Sequence, residues 1–126
     1  YLRENGPLDA VLVGVGMNGH IGLNEPGVEP DLDAHVVTLE KTTKEVAQKY
    51  FTESTTLEKG ITLGLGQIMA AKTVIVIANG LRKAEIMQKI IEGPVSKEIP
   101  GTILQKHPSC HFFLDEDAAS QLTATT

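Results

Sequence analysis

Apolar residues run unbroken through Ala10-Val11-Leu12-Val13 and again through Val74-Ile75-Val76-Ile77-Ala78, each run bounded by turn formers. Continuous apolar runs of this length suit strands buried on both faces, so the pattern predicts strands over 8–15 and 73–78. Shorter runs over 35–39 and 110–114 read as two further strands. Between them the apolar period lengthens. Ala84, Met87, Ile90 and Ile91 fall on one stripe of a helix over 81–92, ended by Gly93-Pro94. Thr42-Thr43-Lys44-Glu45 has the T-x-x-E form of a capping box and opens a helix through Phe51, with Val46/Tyr50 and Ala47/Phe51 as i,i+4 pairs. A short segment over 60–64 precedes helical turns over 65–71, and a short helix is expected from Asp115. Tyr1 to Pro7 reads as the last turn of a helix stopped by Gly6 and Pro7. The 126 residues are therefore expected to be the C-terminal part of a longer chain. Strands alternating with amphipathic helices imply one α/β domain over 1–126. Its open, mostly parallel sheet carries helices on both faces, and the domain is expected to be incomplete.

Residues 16–34 break this alternation. Gly14, Gly16 and Gly19 spell G-x-G-x-x-G behind the first strand, and Glu40 lies about 20 residues on, where a dinucleotide fingerprint wants its acid. That fingerprint also requires a helix opening at the third glycine. Gly22, Pro26, Gly27 and Pro30 forbid one, since an interior proline alone costs about 3 kcal/mol. The glycines serve another purpose: tight turns and close approach of the backbone to a partner.

Composition narrows the partner. The net charge of −5 argues against a nucleic acid or an anionic membrane as the main partner, because both reward a basic face. No run approaches the roughly 20 apolar residues of a membrane span. One cysteine, Cys110, makes no internal disulfide, so a cytoplasmic setting is expected. Cys110 lies inside an apolar strand and is expected to be buried and inert. His107 and His111 have no ligand partners at metal spacing and read as structural or surface residues. No metal or cofactor is expected.

The glycine-rich loop delivers Asn18, His20, Asn24 and Glu25 to the carboxyl end of a strand, where ligands of open α/β sheets gather. An imidazole titrates near neutral pH, and a carboxylate can fix its tautomer and stabilise its protonated form. The expected arrangement is a proton-shuttling His20 with an amide on one side and Glu25 on the other. Pro26 restrains the preceding residue to extended backbone. Lys83 follows the strand over 73–78 and Gly80 at a helix start, where free N–H groups favour an anion.

The stretch L-D-A-V-L-V-G-V-G-M-N-G-H-I-G-L-N-E-P-G resembles the signature of the glucosamine-6-phosphate deaminases (isomerases), G-x-G-x-D/N-G-H-I-x-F/L-N-E-P. Gly60-Ile61-Thr62-Leu63-Gly64-Leu65 and Gly80-Leu81-Arg82-Lys83-Ala84 resemble further segments of that family. The resemblance covers essentially the whole chain but only the later half of a family member. The related 6-phosphogluconolactonases share the G-H loop without its N-E-P continuation.

The resemblance implies an enzyme that converts glucosamine 6-phosphate into fructose 6-phosphate and ammonia without metal or redox cofactor. It makes His20 the acid/base of ring opening and Glu25 its carboxylate partner, with Asn18 where many members carry Asp. It makes Lys83 the phosphate-binding lysine and puts Lys49 where better-known members have a phosphate-clamping Arg; Thr43 or Lys44 are alternatives in a shifted register. The implied partner is a small amino-sugar 6-phosphate, and a homo-oligomer is left open. Leu23 and the run over 60–65 also resemble galactosamine-6-phosphate deaminases. A sugar-phosphate-binding module without turnover is a third reading, because the family's proton-transfer Asp falls in the earlier half.

Overall fold

The computed structural model describes residues 1–39, 41–53 and 56–123, with the Thr42 side chain and Glu40 outside the described set. Its strands are β1 (Ala10–Gly14), β2 (His35–Thr38), β3 (Lys59–Thr62), β4 (Thr73–Ala78) and β5 (Cys110–Leu114). The helices are α1 (Leu2–Asn5), α2 (Lys41–Ala47), α3 (Leu65–Ala70) and α4 (Ala84–Glu92). Short 3-10 turns cover Gln48–Tyr50, Leu81–Lys83 and Pro100–Lys106.

The main sheet is parallel with order β1-β4-β5. Leu12 pairs with Ile75 and Ile75 with His111, while Gly14 pairs with Ile77 and Ile77 with Phe113. β4 is central, which is why its run is the most continuously apolar. One face of the sheet makes the core: Val11, Val74, Val76 and Ala78 pack with Leu65 and Ile68 of α3, Met87 and Ile90 of α4, and Leu104. Burying each such Ile, Leu or Met contributes about 1.5–3 kcal/mol.

The opposite face is open. Leu12 is 65% exposed, Phe113 60% and Ile77 49%. Among the described residues β1 is covered on one face. Both of its faces are apolar.

Four expectations are corrected. β2 pairs antiparallel with β3 in a separate two-stranded sheet rather than joining the parallel one, and β3 covers part of the short segment expected over 60–64. The helix expected from the T-x-x-E box begins at Lys41, so Thr42 lies inside α2 and not at its cap, and the element gives way to a 3-10 turn after Ala47. The helix expected over 81–92 opens as a 3-10 turn, and its stripe buries Ala84, Ile86, Met87 and Ile90, with Ile91 half-buried. After Asp115 the chain makes turns, not a helix: the Asp115 carboxylate accepts the Ala118 N–H at 2.8 Å and the Gly80 N–H at 3.0 Å. Asp115 thus ties the loop after β5 to the loop after β4.

Candidate active site

The segment between β1 and β2 contains no helix, as its breakers require. It is a hook held by its own backbone: Gly16 N–H donates to His20 O at 3.0 Å, Gly19 N–H to Gly16 O at 2.9 Å, and Asn24 N–H to Ile21 O at 3.0 Å. Ile21, fully buried, anchors the hook by bridges to Val15 and Asn24. The Asn24 side chain donates to Ile21 O and to Leu63 O, both at 2.9 Å, fastening the hook to the chain after β3. Gly27 N–H donates to Lys97 O at 2.8 Å. The hook is therefore rigid without being helical.

The first two glycines of the hook have separate tasks. Gly19 has φ +83°, a left-handed conformation that disfavours other residues. Gly16 has no such conformation, yet a Cβ on it would meet Cε1 of His20 at 2.1 Å and Nδ1 at 2.4 Å. The imidazole lies against the bare Cα of Gly16. The glycine that looked like a phosphate cradle is the seat of a histidine ring.

His20 faces a cleft of about 440 Å³ at the carboxyl end of β1, lined also by Met17, Thr43, Lys49, Tyr50 and Lys83. Behind the ring, Nδ1 lies 3.6 Å from Oε2 of Glu25, with side-chain exposures of 18% and 6%. Thr43 Oγ1 is nearer, at 3.2 Å from the same nitrogen. A hydroxyl and a carboxylate oxygen thus stand beside Nδ1.

Asn18 does something other than expected. Its Nδ2 donates to Glu25 Oε2 at 2.8 Å, and its Oδ1 accepts the backbone N–H of His20 at 3.1 Å. The amide orients the carboxylate and the chain, and the ring is left to Thr43 and Glu25. Oε1 of Glu25 is buried with no hydrogen-bond partner among the described residues.

Lys83 sits in the 3-10 turn after β4, its own N–H bonded to Gly80 O at 3.0 Å, and its ammonium donates to the carbonyl of Val15. Burial, then the neighbouring Lys49 and Arg82, hold that ammonium below the usual lysine range. Lys49 lies in the turn after α2 with its Nζ 5.1 Å from the centre of the Tyr50 ring. The His20 ring is pulled below its ordinary value by burial first; Glu25 opposes this and Lys83 adds to it. An imidazole whose proton affinity is lowered by burial and by the Lys83 ammonium shares its cleft with the Lys49 side chain.

Asn18, His20 and Glu25 are thus brought into one bonded cluster, and His20, Lys83 and Lys49 onto one cleft. The sequence offers Thr43 only as an alternative anion contact; its place on the imidazole has no sequence signal, since its partner lies far back in the chain. Lys44 instead pairs with Glu58 at 3.3 Å. His107 is structural: its ring bonds Ala71 O at 2.8 Å and accepts Ser109 N–H at 2.9 Å. Cys110 is only partly buried, and burial pushes its thiol up. Among the described residues no three His, Cys, Asp or Glu side chains converge as a metal ligand set. Nor is any described helix long and apolar enough to cross a membrane.

Residues 1–112 match the family profile of glucosamine-6-phosphate isomerases/6-phosphogluconolactonase. A glucosamine-6-phosphate deaminase of Streptococcus agalactiae is 41% identical over 117 residues, 92% of this chain and 50% of that one. One from Staphylococcus epidermidis is 39% identical over 119 residues, 94% of this chain and 49% of its own. The solved structure of a monomeric glucosamine-6-phosphate deaminase superposes with a TM-score of 0.89 at 35% identity, over 95% of this chain and 50% of the other. A 6-phosphogluconolactonase from Trypanosoma brucei superposes at 0.70 with 25% identity, over 95% and 46%. The chain spans about half the length of the curated relatives it matches.

Proposed function

The chain belongs to the glucosamine-6-phosphate isomerase/6-phosphogluconolactonase family, and on that footing we propose that it carries the ring-opening and phosphate-binding half of an amino-sugar-phosphate deaminase. The whole reaction takes glucosamine 6-phosphate and water to fructose 6-phosphate and ammonia. The observation that carries this reading is one imidazole and two lysine ammonium groups lining a single cleft, with a carboxylate behind the imidazole.

Ring opening of a hemiacetal needs a proton removed from the anomeric hydroxyl and one delivered to the ring oxygen. Nε2 of His20 performs both in turn. It takes the hydroxyl proton, becomes imidazolium, and returns the proton to the ring oxygen as the carbon–oxygen bond breaks. Glu25 stabilises the transient cation across 3.6 Å, and the Asn18 amide keeps that carboxylate in place. Lys83 and Lys49 hold the 6-phosphate, supplying charge without the bidentate fork of an arginine. The later transfer of a proton from C2 to C1 needs a second base, which the resemblance puts in the half of the family that this chain does not span. The deaminase reading stands over the lactonase one on Asn24-Glu25-Pro26 and on the 36–41% identity of the relatives named deaminases. A single cysteine supports a cytoplasmic setting.

Ring opening can be read without the rest of the reaction. It interconverts the α and β anomers of glucosamine 6-phosphate, which exchange NMR follows directly. The chain should accelerate that interconversion above the buffer rate, and His20→Gln should abolish the acceleration. No acceleration, together with no binding of the sugar phosphate, sinks the reading. Running galactosamine 6-phosphate in parallel decides between the C4 epimers.

A further inference from the structure

The ring of His20 has two acceptors on one side and reaches only one of them. Thr43 Oγ1 at 3.2 Å is within the ordinary hydrogen-bond range of Nδ1, whereas Glu25 Oε2 at 3.6 Å is outside it. Neither acceptor is free to adjust. Thr43 is 5% exposed, in the first turn of α2. Glu25 is held at 2.8 Å by Asn18, within a hook fastened by backbone bonds. The ring itself lies against the bare Cα of Gly16.

We propose that Thr43 is a positioning residue: its hydroxyl accepts the Nδ1 proton of His20, holds the ring off Glu25, and so presents Nε2 to the cleft. This deepens the proposed function and rests on it for its catalytic meaning. A ring that closed onto Glu25 would form a short charge-assisted pair, which favours the protonated form. It would also turn Nε2 away from the direction Thr43 sets. With Thr43 in place the carboxylate acts across a gap, strong enough to stabilise an imidazolium once formed and too weak to keep the ring permanently charged. The charged groups facing the ring are few. Glu25 comes from the hook and Lys83 from the turn after β4, while Thr43 is the neutral contact from α2. Lys49 acts on Lys83.

Two variants and the wild type test this. In the wild-type chain, nitrogen-15 spectra of the His20 ring should show a proton on Nδ1 in the neutral form; a proton on Nε2 overturns the proposal at once. In Thr43→Val the hydroxyl is lost at nearly constant volume, the ring swings onto Glu25, and its titration midpoint should rise by about one pH unit. Thr43→Ser keeps the oxygen and should keep the wild-type midpoint. A valine variant whose midpoint is unchanged or lower overturns the proposal, as does a serine variant that behaves like valine. Should Thr43→Val fail to fold, Thr43→Ala makes the same comparison with a smaller side chain. The acid limb of the anomer-exchange rate should follow the titration upward in the valine variant. Failure of the wild type to exchange anomers would count against the function while leaving the ring titration to decide the role of Thr43.

Discussion

Replacing Gly16 by alanine separates two reasons for a glycine. The backbone at Gly16 is not left-handed, so an alanine meets no conformational penalty there, and a glycine-to-alanine change gains about 0.4–1 kcal/mol by restricting the unfolded chain. What it meets is the imidazole. A Cβ would stand 2.1 Å from Cε1, 2.4 Å from Nδ1 and 2.5 Å from Nε2 of His20, whereas ordinary contact begins at 3.4 Å. The ring must retreat by about 1.3 Å, which breaks the 3.2 Å contact with Thr43. A misplacement of about 1 Å at a reacting group can cost on the order of 10²-fold in rate. Gly16→Ala should therefore retain its fold, seen as an unchanged circular dichroism spectrum and a denaturation midpoint no lower than that of the wild type. Its anomer exchange should fall by about 10²-fold, and phosphate binding through Lys83 should survive. Exchange at the wild-type rate with unshifted His20 resonances would refute the seating of the ring on Gly16. So would a loss of fold, because it would mean that the backbone and not the ring requires glycine.

Gly19→Ala makes the opposite test. Its φ of +83° and a Cβ 2.5 Å from Ile99 Cγ2 penalise the fold itself, so urea unfolding should show a loss of about 1–3 kcal/mol. The depressed titration of His20 means that the unfolded chain binds its proton more readily than the folded one. Stability from this group is therefore present above the ordinary imidazole value of 6.5 and lost as pH falls through the lower folded value. His20→Gln should flatten that part of the stability–pH curve, measured by denaturation at a series of pH values, and an unchanged slope would contradict it. Inorganic phosphate bound at Lys83 and Lys49 offsets the positive charge that lowers His20, so its NMR titration should move upward on adding phosphate. Lys83→Met should remove the response; a response that persists would place the anion elsewhere.

The parts of the molecule legible in its sequence are those whose reasons are local. β4 announces itself because a central parallel strand needs apolar residues on both faces. The hook does so because Gly22, Pro26, Gly27 and Pro30 exclude a helix whatever surrounds them. The misreadings share a different cause: each turned on a partner distant in the chain. β3 carries Gly60, a poor strand residue, yet a Cβ there would run into Leu23 of the hook at 2.3 Å, so the glycine is a packing choice made by another segment. β2 looked like one more parallel strand because nothing in His35-Val36-Val37-Thr38 says that its neighbour arrives from the opposite direction. At the site the division is sharper. His20, Asn18 and Glu25 could be picked out from density of polar groups among breakers, but not who bonds whom. Asn18 bonds the carboxylate at 2.8 Å where its spacing suggests the ring, and the ring contact falls to Thr43, which reads as helix-start chemistry. The residue types determine which chemistry is available. The choice between 3.2 Å and 3.6 Å at one ring nitrogen, made by how α2 docks on the hook, determines how that chemistry is tuned.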